Sequence, residues 1–108
     1  MKPLTTELLE SIKQRLVAEF QPEQIWLFGS HAWGSPGDES DVDLMVILKT
    51  NDGPADRYLA VSRLIRPRPF PLDILVKTPD EIAQALQKGN GFIREVVTQG
   101  RILYEQSG

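Results

Sequence analysis

A chain of 108 residues, 41% hydrophobic and 25% charged, matches one globular domain with one hydrophobic core, and a single domain over residues 1–108 is expected. It has no cysteine and one histidine, His31, which excludes disulfides, thiolate nucleophiles and Cys/His zinc sites. The formal charge of −3 argues against a broad nucleic-acid footprint, and no apolar run approaches the ~20 residues that span a bilayer, so a cytoplasmic protein is expected.

From Thr5 to Phe20, Leu8, Leu9, Ile12, Leu16, Val17 and Phe20 recur at three- and four-residue steps, the stripe of an amphipathic helix that Pro22 closes. Gln24 to Phe28 is short, β-branched and aromatic, a buried strand that runs into Gly29. After the turn formers of Ser35 to Ser40, Val42 to Leu48 reads as a second strand. Asp41, Asp43, Met45 and Ile47 share one of its faces, and Val42, Leu44, Val46 and Leu48 the other.

Asn51-Asp52-Gly53 makes a turn, and Pro54 opens a helix whose stripe is expected at Ala55, Tyr58, Leu59, Ser62 and Ile65. Arg66 to Pro71, with three prolines on alternate positions, is expected to be extended and stiff, and to lead into a third strand, Leu72 to Lys77. Thr78-Pro79-Asp80-Glu81 has the pattern of a capping box ahead of a helix with Ile82, Ala85 and Leu86 on its inner stripe. Gly89-Asn90-Gly91 ends that helix. Phe92, Ile93, Val96 and Val97 form another, and Arg101 to Glu105 a brief terminal strand.

The chemistry concentrates in Phe28-Gly29-Ser30-His31-Ala32-Trp33-Gly34 and Ser40-Asp41-Val42-Asp43-Leu44. A strand that breaks at Gly29-Ser30 and re-enters a helix aims backbone N–H groups, a hydroxyl and a positive helix end at one point, as a phosphate site does. Asp41 and Asp43 on one face of an otherwise apolar strand repel each other unless a cation lies between them, and a hard divalent ion such as magnesium takes carboxylate oxygens together with substrate phosphates. Asp73 supplies a third carboxylate if its strand lies beside that of Asp43. Three such groups can hold the two ions, about 3.5–4 Å apart, that serve phosphoryl or nucleotidyl transfer.

Gly29-Ser30, Asp41-X-Asp43 and Asp73, within Leu-Phe-Gly-Ser-His-Ala-Trp-Gly and Ser-Asp-Val-Asp-Leu, resemble the nucleotidyltransferase superfamily related to DNA polymerase β. More narrowly, the chain resembles the minimal nucleotidyltransferases, the MntA-like antitoxins paired with HEPN-domain toxins. The resemblance implies an α+β domain, a small mixed sheet with helices packed on one face and the metal site at the other. It also implies ATP as substrate and Mg2+, two ions, as cofactor. Gly29 and Ser30 would contact the β- and γ-phosphates, Asp41 and Asp43 would ligate metal, and Asp73 would complete the triad and help to deprotonate the acceptor hydroxyl. The implied partner is a HEPN-domain toxin that presents a tyrosine. A catalytically silent antitoxin, or transfer to a small molecule or RNA, are the alternatives. Arg57, Arg63, Arg66 and Arg68 are expected on a solvated face, Trp26 in the core, and no catalytic role falls to His31.

Overall fold

The computed structural model describes residues 3–29 and 42–107. Helix α1 (Pro3–Phe20) leads to β1 (Gln24–Phe28), followed by β2 (Val42–Ile47), α2 (Pro54–Leu64), β3 (Leu72–Lys77), α3 (Pro79–Gln87), α4 (Gly91–Gln99) and β4 (Arg101–Glu105). The apolar spacing of α1 buries Leu9, Ile12 and Leu16. The helix stops where Gln21 enters the left-handed region, φ 50°, and donates its N–H to the Val17 carbonyl at 3.1 Å. The strands form one sheet in the order β3-β2-β1-β4, with β2 and β3 parallel and the other pairs antiparallel.

Because side chains alternate across a strand, β1 and β2 each contribute to two cores. Ile25, Leu27, Val42, Leu44 and Val46 pack with Leu72 and Val76 beneath α1 and α2. Trp26, Met45 and Ile47 pack on the other face beneath Ile93 and Val96 of α4, with Ile82, Ala85 and Leu86 of α3 half-buried beside them. The expected mixed α+β sheet is present, but its helices cover both faces rather than one. The reason lies in β2: Met45 and Ile47, on the carboxylate face, are as apolar as Leu44 and Val46 opposite, and neither face can be left to water.

The two junctions that follow β2 and β3 are held by polar contacts. At the start of α3 the capping box forms as its sequence predicts: the Glu81 N–H donates to Thr78 Oγ1 at 3.2 Å, and the Thr78 N–H donates to Glu81 Oε1 at 2.9 Å. The same carboxylate accepts from Arg57 Nη2 at 2.5 Å. Arg57 is only 5% exposed and also donates to the carbonyls of Val76, at 3.3 Å, and Asp52, at 3.4 Å. It therefore joins α2, the turn before α2, the end of β3 and α3.

This corrects two expectations. Arg57 is not on a solvated face, and the inner row of α2 is Arg57, Val61 and Ile65, at four-residue steps, with Ser62 beside it. Ala55, Tyr58 and Leu59 face outward, Tyr58 and Leu59 being 38% and 41% exposed. An arginine fits an inner row when its aliphatic stem packs and its guanidinium finds carbonyl and carboxylate partners at the far end. The proline-rich run also departs from the stiff extended form, for it bends at 67, 69 and 70 and folds back on α2. Arg68 fastens it there, donating to the Leu72 carbonyl, to Ser62 Oγ at 3.0 Å and to the Tyr58 hydroxyl at 3.2 Å.

Arg57→Ala removes the stem and takes a donor from the buried Val76 carbonyl, the Asp52 carbonyl and the Glu81 carboxylate. We predict a loss of about 2–3 kcal/mol in urea unfolding at pH 7. The hydrogen bond from Arg57 also holds the Glu81 carboxyl below its ordinary value of 4.5. The unfolded chain thus binds a proton here more readily than the folded one, so this stabilisation is full above that value and is lost as pH falls through the lower, folded one. Glu81→Gln should give a flatter stability profile between pH 5 and about pH 3 than the parent, measured by urea titration.

Candidate active site at the end of the sheet

The parallel pairing of β2 and β3 sets Val42 opposite Leu72, Asp43 opposite Asp73 and Leu44 opposite Ile74. In-register residues on parallel neighbours point to the same side, about 4.8 Å apart along the hydrogen-bonding direction. Leu44 and Ile74 belong to the core beneath α1 and α2, whereas Met45 and Leu75 belong to the one beneath α3 and α4. Asp43 and Asp73 therefore stand together on the second face, at the end of the sheet where both strands begin. Asp43 is half-buried, and Asp73, on the edge strand, is exposed.

The third predicted residue at this point is Gly29. Antiparallel pairing sets Phe28 opposite Asp43, so the chain leaving β1 passes directly over that carboxylate. Gly29 has φ +80°, and a Cβ built there would lie 3.2 Å from Asp43 Cγ and closer still to Oδ2. Glycine is thus required twice, by the left-handed backbone and by the approach of the carboxylate. Ser30 and Asp41, expected as phosphate ligand and metal ligand, lie outside the described residues.

Asp43 and Asp73 are all-oxygen, anionic donors on adjacent strands, and like charges directly opposite destabilise a sheet by about 0.2–1 kcal/mol. That donor set fits a hard divalent cation such as magnesium, which needs only one or two carboxylates when phosphate oxygens and water complete its shell. Among the described residues no group of three acidic, histidine or cysteine side chains converges. These two aspartates are the ones that would hold the ion.

One feature of the site was not read from the sequence. The ring of Phe28 meets Phe92 edge-on, with centroids 5.6 Å apart and planes at 81°. Phe92, in the first turn of α4, is 48% exposed, although its spacing assigns it to the inner stripe. It borders a groove of about 190 Å3 that continues along Leu75 and Lys77 of β3, on the same face as Asp73. A larger groove of about 530 Å3, lined by Gln24, Ile47 and Glu105, lies at the opposite end of the strands, away from the carboxylates. Only its chain identity as an aromatic at a helix start marked Phe92, and that signal cannot separate a core residue from a rim residue.

The family model described as Polymerase beta, Nucleotidyltransferase matches residues 10–108. The chain belongs to this family. No curated protein matches it. Among solved structures it is similar to a proposed nucleotidyltransferase from Sulfolobus solfataricus, with a TM-score of 0.68 and 24% identity over 93% of this chain and 79% of that one. At that identity the likeness speaks for the fold, and the fold is that of a nucleotidyltransferase domain. Gly29 leaving β1, Asp43 in β2 and Asp73 in β3 are the expected site residues that the described fold brings to one place.

Gly29→Ala is predicted to cost about 2 kcal/mol or more, from left-handed strain together with displacement of the Asp43 side chain. If the carboxylate is what the methyl meets, Gly29→Ala combined with Asp43→Ala recovers roughly 1 kcal/mol relative to additivity, measured as a double-mutant cycle in urea. Magnesium is predicted to raise the Tm of the parent, and Asp43→Asn to abolish that rise.

Proposed function

We propose that this nucleotidyltransferase domain transfers AMP from ATP, with magnesium, to a hydroxyl of a partner protein. The observation that carries the reading is the register of Asp43 with Asp73 beneath Gly29. Two carboxylates at one end of a sheet, close beneath a glycine, suit the half of a nucleotidyl-transfer site that a protein must supply. Gly29 and Ser30 would hold the distal phosphates, and Asp41 would join Asp43 and Asp73 as metal ligand. Magnesium, when bound, neutralises the triphosphate. The acceptor oxygen attacks the α-phosphorus, the bond to the β-phosphate breaks, pyrophosphate leaves, and Asp73, exposed at the edge, accepts the proton of the attacking hydroxyl.

The resemblance to the minimal nucleotidyltransferases supports a tyrosine of a HEPN-domain toxin as the acceptor and an antitoxin role for this chain in the cytoplasm. No described helix is long and apolar enough to cross a membrane.

Incubation with α-labelled ATP and magnesium, with and without a co-expressed HEPN-domain protein, tests the reading. Label and one AMP mass should appear on a tyrosine of the partner, and Asp43→Asn should lower the rate at least ~100-fold, as expected when a charge-stabilising group at the reacting phosphate is removed. Equal labelling by the parent and the Asp43→Asn variant, or rapid labelling of a free small alcohol that no protein improves, would overturn it.

A further inference from the structure

Four of the chain's seven arginines meet at the C-terminal end of α2. Arg63 stands in the helix's last turn, and Arg15 reaches across from α1 to donate to the carbonyl of Leu64. Arg68 is fastened to Ser62, Tyr58 and the Leu72 carbonyl. Arg66 stands close enough that its charge, with the hydrogen bond and charge of Arg68, lowers the pKa of the Tyr58 hydroxyl. Among the described residues the ion pairs are Lys13 with Glu10 and Arg57 with Glu81, so none of the four has a carboxylate partner there. A helix C-terminus favours one or two cations in its last turn, by about 0.3–1 kcal/mol each. It does not account for four in a chain whose net charge is −3.

Two further facts suit this patch to binding. Arg15 and Arg68 are already tied to backbone carbonyls, so little side-chain freedom remains to be lost when an anion arrives. Arg63 and Arg66 are exposed, next to Tyr58 and Leu59, which α2 also turns outward. The patch lies at the same end of the sheet as the candidate active site, on the opposite face, because the carbonyl that holds Arg68 belongs to Leu72 at the start of β3.

From these observations we infer that the end of α2 is a docking surface for an acidic segment of a partner protein, one that sets carboxylates against the arginines and an apolar side chain against Tyr58 and Leu59. The mixture decides between classes of partner. Arginine with an exposed tyrosine is the composition of a protein-binding patch, whereas a nucleic-acid surface requires a wider cationic surplus than this acidic chain holds. The inference rests on the reading that the acceptor hydroxyl arrives on a protein, and it gives that protein a place to bind at the end of the sheet where Asp73 lies.

The test is made without nucleotide or metal, so that it stands apart from transfer. A fluorescent peptide of alternating Glu-Glu-Leu triplets, a single-stranded RNA of equal charge and inorganic tripolyphosphate are titrated with the full chain at 150 mM salt. The peptide should bind, weaken at least tenfold with the double variant Arg63→Glu and Arg66→Glu, and bind within threefold of the parent with Arg63→Lys and Arg66→Lys. Neither side chain makes a hydrogen bond within the described fold, and unchanged Tm confirms that the variants are folded; should charge reversal lower Tm, the Lys variant and loss of binding between 50 and 500 mM salt carry the test. Tighter binding of RNA than of peptide, binding unaffected by charge reversal in a folded variant or by salt, or no peptide binding at all would each overturn the inference. Peptide binding in a chain that transfers no AMP would leave the docking surface standing and remove the transferase reading instead.

Discussion

The parallel register of β2 with β3 governs the arrangement of this domain. It places Asp43 beside Asp73 on one face and Leu44 beside Ile74 on the other, so one pairing decides both where the charge collects and where the core lies. A shift of one residue would turn the apolar set of β3 toward the opposite face and separate the carboxylates. The pairing also has to overcome their repulsion, at most about 1 kcal/mol on the scale of cross-strand pairs. Burial of Leu72 and Val76 on one side, each fully covered side chain contributing about 1.5–3 kcal/mol, exceeds that cost several-fold. The carboxylate pair is thus held by packing at positions that do not touch it.

The same reasoning explains why the carboxylates lie at the end of the strands. β2 is buried along nearly its whole length, from Val42 through Leu48, and Asp43 is the one residue in that span that is not fully covered. Had Asp43 stood two residues later, it would occupy the position of Met45, fully buried beneath α4, where an ionised carboxylate carries a desolvation penalty of several kcal/mol. At the beginning of the strand Asp43 is only half-buried and lies against the backbone of Gly29. Helices on both faces and a charged site are therefore compatible, provided the site is at the rim.

Much of this was readable from residue types. The steps of α1, the short β-branched runs of β1, β2 and β3 and the capping pattern at Thr78 are local signals, and each element appears where its pattern lies. Gly29, Asp43 and Asp73 were legible as chemistry, but their meeting depended on β3 lying next to β2. Strand adjacency is a property of the whole sheet, which no segment encodes alone. Helices on one face were what the family resemblance implied, whereas Met45 and Ile47, apolar on the carboxylate face, call for a second layer. Phe92 was missed because an apolar residue on the stripe of a nine-residue helix can still fall beyond the sheet's edge.

The misreading of α2 shows most directly what periodicity leaves out. Counting only apolar side chains selects Tyr58 and Leu59, yet the helix turns these outward and buries Arg57. Its inner row is fixed by what lies beneath it: the Val76 carbonyl at the end of β3 and the Glu81 carboxylate at the start of α3 accept from the guanidinium, and an apolar residue would leave both without that donor. Rotating α2 to satisfy Arg57 carries Tyr58, Leu59 and Arg63 to the surface together. The exposed patch at the end of α2 is thus the geometrical counterpart of the buried arginine, and one side chain on the inner row decides which residues the outer face of the helix presents.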